Sequence, residues 1–379
     1  MSTVRAKPDV AVIGGGYAGL IAASRVVRGG RSVILVDPKP MFVHRLKLHR
    51  RLAGYEAATL PWSTVLPHGV ERIEGRALAW DGGTLAVQTG DGELHLRPRR
   101  VLLATGSRSR RLDPNPLVVD LEDPGAPANL AGRHCVVVAG GGATGLETAF
   151  ALAASGREVT LLANGFPGWS HVAQDRIRQL LQQRGIRHVQ GWLGEIGDDA
   201  VHVRDGGPLP CDAVVPCLGF TTSPVARDWG LPTDAAGRVR VSSTLRVDDV
   251  TYAAGDAVTM PSMPWLRGGA ASAMPLGAHA AACVLADLAG EEPRPFRFGW
   301  TMKALDLVGW RALLQRLEPD GTPTHTATLG AGPMAYKSVV FALAPRLGRW
   351  ETTMGRDLYA WHAGPAGAPG EPRVIGSCR

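Results

Sequence analysis

No Cys-x-x-Cys pair occurs in the chain, and Cys135, Cys211, Cys217, Cys283 and Cys378 show no metal-ligand spacing. That excludes zinc ribbons and the redox couples built on that motif, and no metal is expected. Cys211 and Cys217 flank the apolar run DAVVP, and read either as small core residues beside a strand or as a wider dithiol couple. Lysine is scarce: of 41 basic residues only Lys7, Lys39, Lys47, Lys303 and Lys337 are lysine, the rest arginine. The formal charge of +7 is spread over the chain without a long basic run, so no nucleic-acid partner is expected. A modestly basic surface still favours anionic small molecules or an anionic membrane face. No stretch reads as the roughly 18 apolar residues of a spanning helix. No signal-like segment precedes the strand-like DVAVIGGG, so a reducing, cytoplasmic location is expected, at most peripheral on the cytoplasmic membrane face.

What is abundant is glycine. The 48 Gly and 28 Pro are scattered among apolar runs in a chain that is 45% apolar, which suits a folded, loop-rich α/β protein better than disorder. Two segments repeat one design. Residues 9–37 read DVAVIGGGYAGLIAASRVVRGGRSVILVD, and residues 135–163 read CVVVAGGGATGLETAFALAASGREVTLLA. Each runs from an apolar strand through a glycine triplet and a helix to a second strand, the βαβ nucleotide-binding unit. Between them, GTLAVQT and GELHLRP alternate between turn signals and read as antiparallel strands.

In the first unit Gly14, Gly16 and Gly19 stand in G-x-G-x-x-G spacing. Gly14 suits the tight turn, Gly16 the approach of a pyrophosphate, and Gly19 close packing of helix on strand. Asp37 ends the second strand, where a carboxylate accepts ribose hydroxyls. The second unit supplies Gly140, Gly142 and Gly145, followed by Glu147. Its matching strand end is Ala163 beside Asn164, so the acid that would repel a 2′-phosphate is missing. NADPH is then expected to serve at least as well as NADH.

The order GGGYAG…D, LLATGS, AGGGATGLE and YAAGDA resembles the two-dinucleotide-domain FAD/NAD(P)H oxidoreductases. Within them it resembles the type II NADH dehydrogenases and the apoptosis-inducing-factor-like proteins. The resemblance implies an α/β fold of two Rossmann-like nucleotide-binding domains, the second inserted in the first, plus a small C-terminal α+β segment. The expected boundaries are 1–115 and 244–295 for the FAD-binding domain, 116–243 for the NAD(P)H-binding domain, and 296–379 for the C-terminal segment.

It also implies roles. Gly14, Gly16, Gly19 and Asp37 would bind the ADP half of FAD, and Ala77 the adenine. Thr105 and Gly106 would lie near the pyrophosphate, and Gly255 and Asp256 would hold the ribityl chain. Gly140, Gly142, Gly145 and Glu147 would hold NAD(P)H. Arg50 falls where some relatives place an arginine near the flavin, or else is a solvated helix residue. In AMPLGAHAA, the Met274–Gly277 turn would face the flavin, with Met274, Leu276 and His279 as candidates. His44, His49 and His279 read as acid–base groups or as structural imidazoles. Trp300, Met302, Trp310, Met334 and Tyr336 would either wall the far side of the flavin or fill a core. Lys337, Arg346 and Arg349 mix with apolar residues in AYKSVVFALAPRLGRW, a pattern compatible with interfacial binding. The glutamines that quinone-reducing relatives carry near AMPLGAHAA are absent.

The function implied is passage of electrons from NAD(P)H through FAD to a small, apolar acceptor such as a quinone, by a monomer or homodimer. Two rivals stand beside it: a flavin-dependent oxidase or tailoring dehydrogenase with a vestigial second fold, and a redox-sensing flavoprotein that signals through a partner. The missing Cys-x-x-Cys argues against disulfide reduction through a protein dithiol.

Overall fold

The structure is a computed structural model and describes residues 4–364; Cys378 lies outside them. Strand Val10–Ile13 pairs in parallel with Val33–Asp37 on one side and Arg100–Leu103 on the other. Thr251–Ala253 adds in parallel to the outer side of Arg100–Leu103. Every residue of Val10–Ile13 and Val33–Asp37 is buried. Parallel strands covered on both faces demand that, which is why these segments are apolar throughout except for the terminal Asp37. Glu71–Trp80 continues the sheet from Val33–Asp37 and then turns it antiparallel through Leu85–Thr89 and Gly92–Leu96.

A second sheet orders four parallel strands as Arg187–Val189, Glu158–Leu162, Cys135–Ala139 and Ala213–Pro216. In sequence it lies between Arg100–Leu103 and Thr251–Ala253, which are neighbours in the first sheet. The second nucleotide-binding domain is therefore inserted in the first. The chain crosses between them on two strands, Ser107–Ser109 and Phe220–Thr222, which pair antiparallel. The return to the first domain comes earlier than residue 243. Ala226, Val239 and Val241 are buried in the first domain's core, and Trp229 Nε1 donates to the Leu78 carbonyl at 3.0 Å. Strand Val239–Arg240 pairs with Val258–Thr259, so the segment after Thr222 completes the first domain.

Helix Ala270–Ala289 is, against the sequence expectation, long and apolar enough by composition to cross a bilayer. Its apolar content has another use. The helix packs on Tyr17–Arg28 so closely that a Cβ on Gly277 would lie 2.2 Å from the Ala18 carbonyl oxygen. Two thirds of the apolar window is buried (67%), as in a core helix.

The C-terminal segment is an antiparallel sheet, Met302–Asp306, Ala312–Leu317 and Pro323–Gly330, followed by helices Ala331–Leu343 and Leu347–Met354. It bridges both domains. Leu305, Leu307 and Leu313 share a core with the second domain and with Leu48 and Leu52 of the first, while Leu347 packs into the first. Ser24 Oγ donates to the Gly348 carbonyl at 2.8 Å. Fully buried Glu351 accepts from Arg25 and from the backbone N–H groups of Leu358 and Tyr359.

Candidate functional site

One cleft of about 2550 Å³ runs between the two domains and under the C-terminal segment. Ordinary small-molecule pockets hold roughly 300–1,000 Å³, so this one has room for two extended ligands. Both glycine loops open into it, and they are built alike. Gly14 has φ of 104° and Gly140 a φ of 126°, a region closed to side chains. A Cβ there would stand 2.4 Å from the Ala104 oxygen and 2.2 Å from the Cys217 oxygen, respectively. Gly19 and Gly145 would drive a Cβ to 1.8 and 1.9 Å from the carbonyls of Gly14 and Gly140, so they set helix against strand. Gly16 and Gly142 cap the two helices without a side-chain hydrogen bond, and a Cβ on either would meet nothing within 4 Å. Each helix thus presents unpaired N–H groups and its positive end to open cleft. Two such cradles fit two pyrophosphates.

Asp37 is buried at the first strand end and lines the cleft. Its Oδ2 accepts from Gly15 N at 2.7 Å and its Oδ1 from Lys39 N at 2.9 Å, which fixes the carboxylate beside the loop. Ala77, Thr105, Gly106 and Gly255 line the same part. Asp256 is oriented by Ser107 Oγ and Gly269 N, both at 2.7 Å. The donor and acceptor set fits a flavin dinucleotide along this side.

The residues predicted to face the flavin divide. Met274 lines the cleft from the helix Ala270–Ala289, not from a turn. Leu276 is buried in the first core instead. His279 lies off the cleft: its Nε2 donates to the Arg294 carbonyl at 2.8 Å and its ring packs on Phe296. Burial lowers its pKa and keeps the ring neutral.

Arg50 neither reaches the cleft nor is solvated. Its guanidinium spans Asp306, with Nη2 at 3.1 Å from Oδ1, and also reaches Glu56 at 3.2 Å. Asp306 has no exposed surface and accepts from His49 Nε2 at 2.9 Å as well. Burial alone would raise its pKa, but the bonds from His49 and Arg50 prevail and hold the carboxyl well below the usual range. Cleft-lining Glu147 joins this network: its Oε1 accepts from Asp306 N at 2.9 Å and from Lys337 Nζ. Lys337 also donates to the Ala304 carbonyl at 2.8 Å.

Tyr17 lines the cleft directly after Gly16 and donates to His44 Nδ1 at 2.7 Å; His44 Nε2 donates to the Phe341 carbonyl at 2.9 Å. Burial pushes the His44 pKa down to about 4, which suits a neutral ring with one donor and one acceptor nitrogen. Burial likewise pushes the Tyr17 phenol up and keeps its proton on.

At the second strand end Ala163 is 3% exposed, and Asn164 turns its Oδ1 to Gln190 Nε2 at 3.2 Å. Of the C-terminal candidates, Trp300, Met302 and Tyr336 line the cleft. Met334 is buried, and Trp310 is 70% exposed on the hairpin between Met302–Asp306 and Ala312–Leu317, outside the cleft. Lys337 is committed to Glu147, and Arg346 and Arg349 bond to the carbonyls of Ala342 and Leu66, so these cations serve the fold before any membrane surface.

Several residues in the cleft wall or behind it escaped the sequence reading. Tyr17 sat inside the glycine motif without being read. Asp306 carried a signal, being the lone acid in the apolar stretch ALDLVGW. Lys303, on the strand Met302–Asp306, gave no signal beyond the rarity of lysine. Among the described residues the cysteines are free, and burial pushes the cleft-lining Cys217 thiol up to about 12. A thiol so protonated is a poor nucleophile.

A profile of the family described as pyridine nucleotide-disulphide oxidoreductase matches residues 8–280. The chain is similar to an NAD(P)H sulfur oxidoreductase (CoA-dependent) of Pyrococcus abyssi, 25% identical over 68% of this chain and 64% of that one. A ferredoxin–NADP reductase of Saccharopolyspora erythraea is 28% identical over 69% of this chain and 88% of its own length. Ferroptosis suppressor protein 1 of Taeniopygia guttata is 26% identical over 68% and 77%. Among solved structures, an NAD-dependent persulfide reductase from A. fulgidus shares the fold at a TM-score of 0.69 and 21% identity, over 83% of this chain and 64% of that one. The matched region thus spans less than two thirds of the Pyrococcus and A. fulgidus proteins.

Proposed function

The chain belongs to the pyridine nucleotide-disulphide oxidoreductase family, enzymes of FAD and NAD(P)H, and from that premise we propose that it passes electrons from NAD(P)H to a small apolar acceptor. The observation that carries this reading is the single cleft shared by two glycine cradles and closed by Trp300, Met302 and Tyr336. Bound FAD supplies two-electron chemistry between the dinucleotide and the acceptor.

The protein's own contribution is binding, positioning and charge. Gly14, Gly16 and the helix end behind them hold the flavin pyrophosphate, Asp37 the ribose, and Asp256 the ribityl chain. Gly140, Gly142 and the matching helix end hold the NAD(P)H pyrophosphate. Glu147, neutralised by Lys337, presents a fixed polar contact one helical stretch beyond that loop without leaving a net charge there. The aromatic and thioether side chains exclude water and offer a flat, adaptable wall to a hydrophobic acceptor. A protein thiol has no part in this scheme. The quinone class suits the wall best, although the chain lacks the glutamines its quinone-reducing relatives carry.

The test is anaerobic. Purified protein should be yellow, release FAD, bleach with NADH or NADPH, and regain its colour with a neutral naphthoquinone. The same panel should include a polysulfide and a ferredoxin, the acceptors that relatives' names suggest. Recovery with ferredoxin or polysulfide alone would replace the apolar acceptor, and failure to bleach would remove the NAD(P)H step.

A further inference from the structure

Lys303 lines the cleft from the strand Met302–Asp306. Its Nζ donates to the Gly168 carbonyl and lies 4.0 Å from the centroid of the Trp169 ring. Arg267 comes to the same place from another element, the loop before helix Ala270–Ala289. A Cβ on Gly168 would stand 3.2 Å from Lys303 Nζ and 3.4 Å from Arg267 Nη1, so the two cations flank one point of backbone. The charged neighbour acting on Lys303 is this arginine, and among the described residues no carboxylate pairs with it. Trp169, 4% exposed, offers the ammonium only a ring face.

The place is costly for the Lys303 ammonium. Burial first, and Arg267 second, pull the Lys303 pKa down to about 8. Two other cations of the cleft are matched, Lys337 by Glu147 and Arg45 by Glu122, whereas Arg51, Arg76 and Arg108 line it with no carboxylate in an ion pair among the described residues. Here Lys303 stands part-buried in the cleft wall with the exposed Arg267 beside it and a backbone carbonyl as its acceptor, and an oxyanion would pair with both.

The place narrows the ligand. Gly168 belongs to the loop that follows strand Glu158–Leu162, at whose end the ribose 2′ position of a dinucleotide falls. Lys303 is also flanked by Met302 and Ala304, which line the cleft on the acceptor side. We propose that Lys303 and Arg267 form an oxyanion subsite, taking either the 2′-phosphate of NADPH or an acidic substituent on the acceptor. The proposal rests on the reading of the cleft as an NAD(P)H and acceptor site.

Equilibrium binding tests it without turnover. The FAD-loaded protein and its Lys303→Met and Lys303→Arg variants are titrated calorimetrically with two pairs of probes. One pair is 2′,5′-ADP and 5′-AMP; the other is a naphthoquinone sulfonate and its neutral parent. Flavin absorbance and thermal melting first establish that each variant is folded and loaded, and Arg267→Met repeats the test should Lys303→Met fail that check. The expected result is that Lys303→Met weakens one charged probe by about tenfold, the loss of a charge-assisted hydrogen bond, with its neutral partner unchanged. Lys303→Arg should keep most of the affinity. Selective loss for 2′,5′-ADP assigns the subsite to NADPH, and selective loss for the sulfonate assigns it to the acceptor. Equal losses for charged and neutral members, no loss at all, or no binding of either charged probe to the unmodified protein would overturn the subsite. Failure of NAD(P)H to bleach a protein that still shows the selective loss would overturn the cleft's proposed reaction and leave the subsite standing.

Discussion

Lys337 and Glu147 lie 190 residues apart in sequence and share a hydrogen bond inside the cleft wall, with 11% and 12% of their side chains exposed. The bond joins helix Ala331–Leu343 of the C-terminal segment to the helix of the second glycine loop. Lys337→Met should strand the carboxylate in a dry setting and cost about 3 kcal/mol, as breaking one side of a buried pair does. Urea denaturation measures it. Adding Glu147→Gln should recover part of that loss, and a strictly additive double variant would mean that the two side chains do not couple.

The adenosine end should accept NADPH at least as well as NADH. Ala163 is nearly enclosed against the glycine loop, where a Cβ on Gly141 would lie 3.0 Å from its own Cβ, so the informative substitution is next door. Asn164→Asp puts a carboxylate at a cleft-lining position. It should raise the KM for NADPH about tenfold through charge repulsion and leave NADH near its original value. Equal KM changes for both nucleotides would place the 2′ position elsewhere.

On the acceptor side the two aromatic candidates separate. Tyr336→Ala should raise the acceptor KM about fivefold to tenfold, with the NAD(P)H KM unchanged, because it removes wall on one side only. Trp310→Ala should change neither, since that ring stands outside the cleft. Steady-state kinetics with both substrates varied decides the matter. A Trp310 effect as large as that of Tyr336 would contradict the placement.

Acid should loosen the fold before the carboxylates titrate. His44 has an ordinary value of 6.5 and a folded one of about 4. The unfolded chain therefore binds the proton first, and stability falls as pH drops through the interval between those values. The full effect is about 3 kcal/mol, roughly half of it visible as a lower Tm between pH 6.5 and 5. His279, also depressed by burial, acts in the same sense. His44→Gln should flatten the Tm profile over that interval; an unchanged slope would show that His44 is not its source.

Both nucleotide folds were legible because their signals are local. Gly14 and Gly140 need a backbone conformation and a close approach that sequence spacing alone announces, and the strands beside them are apolar without break. Arg50, His279 and Trp310 were not legible, because their surroundings are assembled from distant chain. Arg50 meets Asp306, His279 meets the segment at Arg294, and Trp310 tips a hairpin whose reach no periodicity reports. The boundary near residue 243 failed for a similar reason. A two-residue pairing, Val239–Arg240 with Val258–Thr259, draws the chain home before any composition shift.

Glu351 closes the first helix from the other end of the chain. Arg25 and Arg28 come from the first nucleotide-binding helix, and the acid that receives them comes from the last one. During synthesis the N-terminal helix emerges from the ribosome more than three hundred residues before Gly348, which covers Ser24, does so. For that whole interval its arginines and Ser24 wait without their partners. The domain translated first is therefore among the last to be completed, and a nascent chain halted short of Glu351 should remain a client for chaperones rather than a finished flavin-binding unit.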